Sequence, residues 1–250
     1  MPDARSASWT SGLPLRNQNI SDVRSWDFPS GALPTWAALW EDTPSGTATA
    51  GGVDRQGGWY TAIMTADSEA QEIALRPSLN ADGSTVNTDL APQYGCIIEA
   101  VFQLPILPSA ANEDFIFGIV SDRHDTVDSI ARHLLFRATA NGSLLVNVDD
   151  GTTDAAADTG LDLTAATTFK LRIHTARFGL TTATTFKVGF SVALGDDADF
   201  VPVLTSTTEA WTLDFGTNLS QWIVEMQKNT AATLLAFEID RIDYFQDKSY

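Results

Sequence analysis

Three carboxylates crowd one strand-like stretch near the end of the chain, "FEIDRIDYFQ" (237–246), where Glu238, Asp240 and Asp243 stand in the order E-x-D-x-x-D. Two carboxyl groups flanking a sugar bond can hydrolyse it, one as general acid and the other as nucleophile or base. They must lie about 5–5.5 Å apart for retention, or roughly 6.5–9.5 Å apart for inversion. Plain alternation puts Glu238 and Asp240 on one face with Ile242 and Tyr244, and Asp243 on the other with Phe237, Ile239 and Phe245, unless a bulge intervenes. That split leaves the set one member short, so the competing expectation is an exposed acidic strand or one paired through Arg241.

Two loops gather hard oxygen ligands. "SDRHDTVD" holds Asp122, His124, Asp125 and Asp128, and "DDGTTDAAAD" holds Asp149, Asp150, Asp154 and Asp158. Ca²⁺ takes six to eight oxygens, so either loop could supply part of a site; neither has EF-hand spacing, and solvated turns are the plain alternative. "SDRHD" has the stronger case because it follows a predicted strand. The three histidines, His124, His133 and His174, share no zinc spacing, and no G-x-S-x-G elbow or nucleotide fingerprint occurs. Among the tryptophans, Trp36, Trp40 and Trp59 are candidates for stacking on a glycan, with Trp211 and Trp222 as further aromatics; packing in a core is the commoner use. Lys170, Arg172 and His174 alternate along one strand-like run as a small positive stripe, either solvated sheet surface or a dock for an acidic neighbour.

The elements that must position these residues are short β-type runs separated by turn residues. "CIIEAVFQL" (96–104) sends Cys96, Ile98, Ala100, Phe102 and Leu104 inward and Glu99 and Gln103 outward; "DFIFGIVS" offers Phe115, Phe117 and Ile119. The sharpest local signal is "HLLFRATANGSLLVNVDDG", in which two alternating runs flank Asn141-Gly142, residues that tolerate positive φ, and so predict a β-hairpin. "TFKLRIHTA" and "TFKVGFSVAL" repeat the alternation. "PTWAALW" and "HDTVDSIARHLL" are the two candidate helical segments, and "TDAAADTG" and "ALGDDADF" are expected to be loops. Residues 1–25, broken by Pro2, Gly12 and Pro14 but carrying Trp9, Leu13, Leu15 and Ile20, predict an arm with apolar anchor points. No linker divides the remainder, so the expected organisation is an arm (1–25) and one all-β, two-sheet antiparallel sandwich (26–250).

Composition narrows the function classes. A chain of 250 residues buries enough surface for a core without staples, and one cysteine, Cys96, permits no intramolecular disulfide. With a formal net charge of −17, nucleic acid and anionic membrane are poor partners, because phosphate binding needs clustered Lys and Arg. The start "MPDARSASWTSG" lacks a signal-peptide pattern and no long apolar run follows, so synthesis in a cytoplasm is expected.

The order "WDF", "GGWYTAIMT", "IIEAVFQLP", "FIFGIVSD", "LLFRATANGSLLVNVDDGT", "FKLRIHTA", "FKVGFSVAL" and "FEIDRIDYFQ" resembles the concanavalin A-like or laminin-G-like jelly roll, in particular the versions among structural proteins of tailed-phage virions. The resemblance spans 26–246 and rests on strand patterns. It implies a non-enzymatic virion protein that decorates or cements a capsid, or sits on a tail. Its arm residues Trp9, Leu13, Leu15 and Ile20, with Lys170, Arg172 and His174, would bind major capsid or other virion proteins, as a homo-oligomer. In the laminarinase-like glycosidases of the same fold, the catalytic E-x-D-x-E strand lies in mid-domain and the terminal strand reads like I-D-Y-V-R-V-Y. The carboxylates here fall in that terminal pattern, which counts against hydrolysis. The alternative from another class is a lectin-like glycan-binding module.

Overall fold

A computed structural model describes residues 20–28, 37–42, 49–53, 58–66, 69–77, 90–121, 129–177, 184–204, 211–216, 220–229 and 234–247. In chain order the strands are β1 (Ile20–Asp27), β2 (Ala37–Asp42), β3 (Thr49–Val53), β4 (Trp59–Ile63), β5 (Gln71–Pro77), β6 (Cys96–Ile106), β7 (Glu113–Val120) and β8 (His133–Ala138). There follow β9 (Ser143–Asp149), β10 (Asp154–Asp162), β11 (Thr168–Arg177), β12 (Thr185–Leu194), β13 (Val201–Val203), β14 (Thr212–Asp214), β15 (Gln221–Lys228) and β16 (Ala236–Asp247). Among the described residues they form a nine-stranded sheet, β13-β12-β11-β6-β16-β4-β3 with β1 beside β16 and β14 beside β12, and a seven-stranded sheet, β10-β9-β8-β7-β15-β5-β2. Every pairing is antiparallel, and the two sheets form a concanavalin A-like jelly-roll sandwich as expected.

Between the sheets the alternating apolar sets meet. Phe102 of β6 lies 5.2 Å and 5.0 Å, centroid to centroid, from Phe115 and Phe117 of β7, edge to face, the arrangement that ring quadrupoles favour. Cys96 belongs to this core; its N–H donates to Thr175 Oγ1 at 2.9 Å, and burial pushes the thiol up to about 12. The hairpin between β8 and β9 turns through Asn141 (φ 63°) and Gly142 (φ 79°), the left-handed pair that the dipeptide allows.

Four expectations are corrected. Of "PTWAALW", expected to make a helical turn, Ala37 to Trp40 belong to β2, which pairs with β5 from Ala37 to Asp42. "TDAAADTG" forms most of β10, an edge strand whose Ala155, Ala157 and Leu161 pack half-buried on the core. In "HDTVDSIARHLL" the described residues 129–132 contain no α-helix and His133 begins β8; the Asp125–Asp128 cap lies outside the described residues. The arm does not extend to residue 25, because Ile20 through Ser25 already pair with β16 as part of β1. Trp9, Leu13 and Leu15 lie outside the described residues. Among the described residues no helix is long and apolar enough to cross a membrane.

The outer face of the smaller sheet carries a second apolar cluster, Ala74, Ile116, Val120, Ile130, Leu135 and Ile223, which is why β7 is buried on both faces. Gly118 sits in its midst, opposite Leu135. A Cβ there would meet Leu134 O at 2.0 Å and Leu135 Cδ2 at 2.8 Å, so no larger residue fits without moving β8. Gly118→Ala is expected to cost about 1–3 kcal/mol of stability, read as a lower urea midpoint with unchanged slope.

Candidate functional site

The carboxylates of β16 owe their positions to a bulge. Ile239 pairs with Phe102, but Arg241 pairs with the very next β6 residue, Val101, leaving Asp240 as the extra residue. Its carbonyl accepts a hydrogen bond from Phe28 N at 3.3 Å, where β16 passes from β4 to β1 as its neighbour. The bulge resets the alternation. Phe237, Ile239, Ile242 and Tyr244 all turn into the core, fully buried, and Glu238, Arg241 and Asp243 take the outer face. The expected split between Glu238 and Asp243 is thereby overturned: they share a face, four β6 positions apart (Gln103 to Glu99), or about 13 Å along the strand. Their backbone positions are thus set farther apart than the carboxyl groups of a retaining pair, which lie about 5–5.5 Å from each other.

The bulge also brings together groups that sequence reading did not connect. Across the outer face of the larger sheet, Ser191 of β12, Arg172 of β11, Glu99 of β6, Asp243 of β16 and Ser25 of β1 stand directly opposite one another in one row. Arg172 pairs with Glu99, and Arg241 Nε lies 3.0 Å from Asp243 Oδ2. Ser25 Oγ donates to Asp243 Oδ1 at 2.6 Å. Glu99 is 2% exposed and Asp243 8%, so this is a buried ionic row, +−− for Arg172, Glu99 and Asp243, with Arg241 adding a second positive charge two residues from Asp243 along β16. Burial pushes the Glu99 carboxyl above its usual range, mainly opposed by Arg172; burial likewise raises Asp243, opposed by the Ser25 hydrogen bond and Arg241, with Asp27 adding to the rise.

The positive stripe is engaged within the chain. The Arg172 guanidinium carbon stands 3.8 Å above the Phe200 ring centroid, and Lys170 Nζ, 5.8 Å from the same centroid, donates to Asp196 O at 3.0 Å. His174, exposed on its outer side, lies over Gly189, where a Cβ would come within 2.1 Å of its Cε1; the desolvation of its covered side, then Arg172, pushes its imidazole down. Arg172 thus carries an intrachain ion pair and a ring contact, while His174 keeps an exposed side. Phe200 and Ser25 gave no signal in the sequence, because loops and terminal strands carry no period. Glu99 was visible as an outward residue, but its partners were not.

Of the glycan candidates, Trp59 is 9% exposed within β4, Trp40 lies in β2 and Trp36 lies outside the described residues. Trp222 is in the core, and Trp211 is half-buried, edge-on to Phe190 at 6.2 Å. The metal candidates Asp122, His124, Asp125 and Asp128 lie outside the described residues. Three of the four acids of the other loop accept from backbone amides: Asp150 Oδ1 accepts from Thr152 N and Thr153 N (2.9 and 2.6 Å), and its Oδ2 accepts from Asp214 N (3.0 Å). Asp149 and Asp158 accept from Gly151 N and Gly160 N. Among the described residues no group of three or more His, Cys, Asp or Glu is placed so that it could hold a metal ion.

No protein-family model matches this chain, and no curated protein sequence does. Solved structures do. The crystal structure of a protein of unknown function, SO2946 from Shewanella oneidensis MR-1, is similar at a TM-score of 0.55 and 12% identity, over 98% of this chain and 94% of that one. The exoplasmic/lumenal domain of VIP36 in its Ca²⁺/Man3GlcNAc-bound form gives 0.52 and 11% over 89% and 88%, and its metal-free form 0.52 and 8% over 90% and 93%. These likenesses are of fold.

Removing one member of the ionic row leaves a buried charge alone. Arg172→Ala is expected to destabilise the protein by about 3 kcal/mol, and Glu99→Gln in the Arg172→Ala background to recover most of that loss, in a double-mutant cycle by denaturant titration.

Proposed function

We propose that the chain is a non-enzymatic, lectin-like glycan-binding module. The observation that carries the reading is the end-to-end likeness to the VIP36 exoplasmic/lumenal domain, which binds Ca²⁺ and Man3GlcNAc in its solved complex. The state of the acidic residues supports the non-enzymatic half. Asp243 and Glu99 are tied into ion pairs, and Glu238 sits four β6 positions away from Asp243. Loops are where a rigid sandwich carries recognition, and the oxygen-rich "SDRHD" segment leaves the end of β7 directly. A Ca²⁺ requirement, if the module has one, belongs to that segment.

One observation favours a second reading, the virion structural protein that docks on capsid or tail neighbours. Asp154, Asp158 and Asp162 are exposed along the outer edge strand β10, on a chain of net charge −17, and such an acidic edge suits a basic neighbouring surface. In that reading the arm residues Trp9, Leu13 and Leu15 make the attachment and the protein resides on the particle. Deleting residues 1–25 would then remove most of β1 together with the arm, so a cut before Ile20 is the cleaner test.

The two readings separate in one pair of measurements. A glycan array probed with and without Ca²⁺ should show saccharide binding that weakens about tenfold, or ~1.4 kcal/mol, when Trp36 and Trp40 are replaced by alanine. An array silent in both conditions, with co-purification on particles at fixed stoichiometry, would overturn the lectin reading in favour of the structural one.

A further inference from the structure

β10 closes the smaller sheet on one side. Among the described residues it pairs with β9 alone, and Asp154, Ala156, Asp158, Gly160 and Asp162 are exposed along it. In an edge strand the N–H and C=O of every second residue point away from the sheet, and in β10 those outward groups meet no strand among the described residues. Neither proline nor a bulky side chain seals this edge between Asp154 and Asp158, where Ala155, Ala156 and Ala157 leave the backbone uncovered.

The two faces of β10 differ. Asp154, Ala156 and Asp158 lie on the outer face, while Ala155 and Ala157 pack half-buried at the margin of the core. Register with β9 runs unbroken from Asp154 to Asp158 and then shifts, because Thr159 and Gly160 have no partner residues. Thr159 Oγ1 donates to Leu144 O at 2.6 Å and accepts from Leu161 N at 3.2 Å, and Gly160 takes φ 72°. The bulge thus ends the open ladder at Asp158.

We propose that β10 is an acceptor edge for an extended segment of another protein, one that alternates lysine or arginine with small apolar residues and adds to the smaller sheet as a further strand along Asp154–Asp158. Backbone hydrogen bonds would hold it, and the alternation would select it. Period two sets the cations on the outer face, opposite or diagonal to Asp154 and Asp158, and the apolar residues beside Ala155 and Ala157. A second copy is refused. A two-fold axis normal to the sheet lays outer face beside outer face, so β10 against β10 brings Asp154 opposite Asp158, or Asp158 opposite itself with Asp154 opposite Asp162. The net charge of −17 adds a general repulsion between copies. The contact gives the acidic edge a mode of binding and is independent of saccharide recognition: a silent glycan array leaves it standing, and loss of strand addition leaves the glycan reading standing.

Fluorescence anisotropy with a labelled, end-blocked peptide, Thr-Lys-Val-Lys-Val-Lys-Thr, and hydrogen exchange of the full chain test this. The peptide should bind saturably, one per chain, and slow exchange in Asp154–Asp162 several-fold relative to Thr168–Arg177 in β11. Asp154→Asn combined with Asp158→Asn should weaken binding about tenfold. Asp197→Asn combined with Asp199→Asn removes the same charge at exposed positions off β10 and should change affinity by less than about twofold. N-methylation of every peptide nitrogen keeps the charge and should abolish binding. No saturable binding, equal binding by the N-methylated peptide, equal effects of the two double variants, or no added protection in β10 overturns the acceptor edge. Protection of β10 that grows with protein concentration in the absence of peptide overturns the choice of partner in favour of a second copy. Should the Asp154→Asn, Asp158→Asn chain not fold, Asp154→Asn alone against Asp197→Asn alone decides by the same comparison.

Discussion

The extra residue at Asp240 is the constraint on which the larger sheet depends. β16 carries its inward apolar residues as Phe237, Ile239, Ile242 and Tyr244, and the three-residue step from Ile239 to Ile242 cannot be met by a strand of period two. Without a bulge, either Ile242 and Tyr244 would face outward while Arg241 and Asp243 entered the core, or Phe237 and Ile239 would face outward while Glu238 and Asp240 entered it. β6 answers with an irregularity of its own beside Pro105, between the partners of Ala236 and Glu238, where a proline could not have joined a regular ladder. Two local distortions thus keep two long central strands in phase at both ends.

The ionic row is a consequence of that phase. With Arg241 its four charges sum to zero, so desolvation of each carboxylate is offset by a guanidinium placed beside or opposite it. Such networks contribute little net stability compared with apolar side chains of the same volume. The stability comes from the phenylalanine-rich interior between the sheets. What the row adds is register. A slip of one residue between β11 and β6, or between β6 and β16, would put Glu99 or Asp243 against the core without a partner, at a far higher free energy than the aligned state. The smaller sheet has its own version: Arg137 forks onto both oxygens of Asp114 at 2.9 and 2.8 Å, and Gln227 of the next strand joins at 3.1 Å.

Much of the fold was legible because strands that face a core on one side announce themselves by alternation, and Asn141-Gly142 marks its hairpin by backbone chemistry alone. β10 was not legible. "DAAADTGLD" has no β-branched run and low hydrophobicity; its place is decided by the exposed edge of β9, with alanines small enough to lie half-buried against the core. β2 was mistaken for a helical turn because Trp36, Leu39 and Trp40 also fit helical spacing, and six residues are too few to separate the periods. At the site, the residue types were plain and their partners hidden. Glu99 and Asp243 meet only through non-local register, and the bulge that aligns them is decided by the strands on either side of β16.

Cys96 shows what this packing does to reactivity. A thiol held up to about 12, at 3% exposure, is almost wholly protonated in neutral solution and shielded from reagents. The folded chain thus presents no thiolate of its own, and a cysteine placed on an exposed position such as Asp158 would be the single site for a maleimide dye, spin label or cross-linker without replacing the native residue.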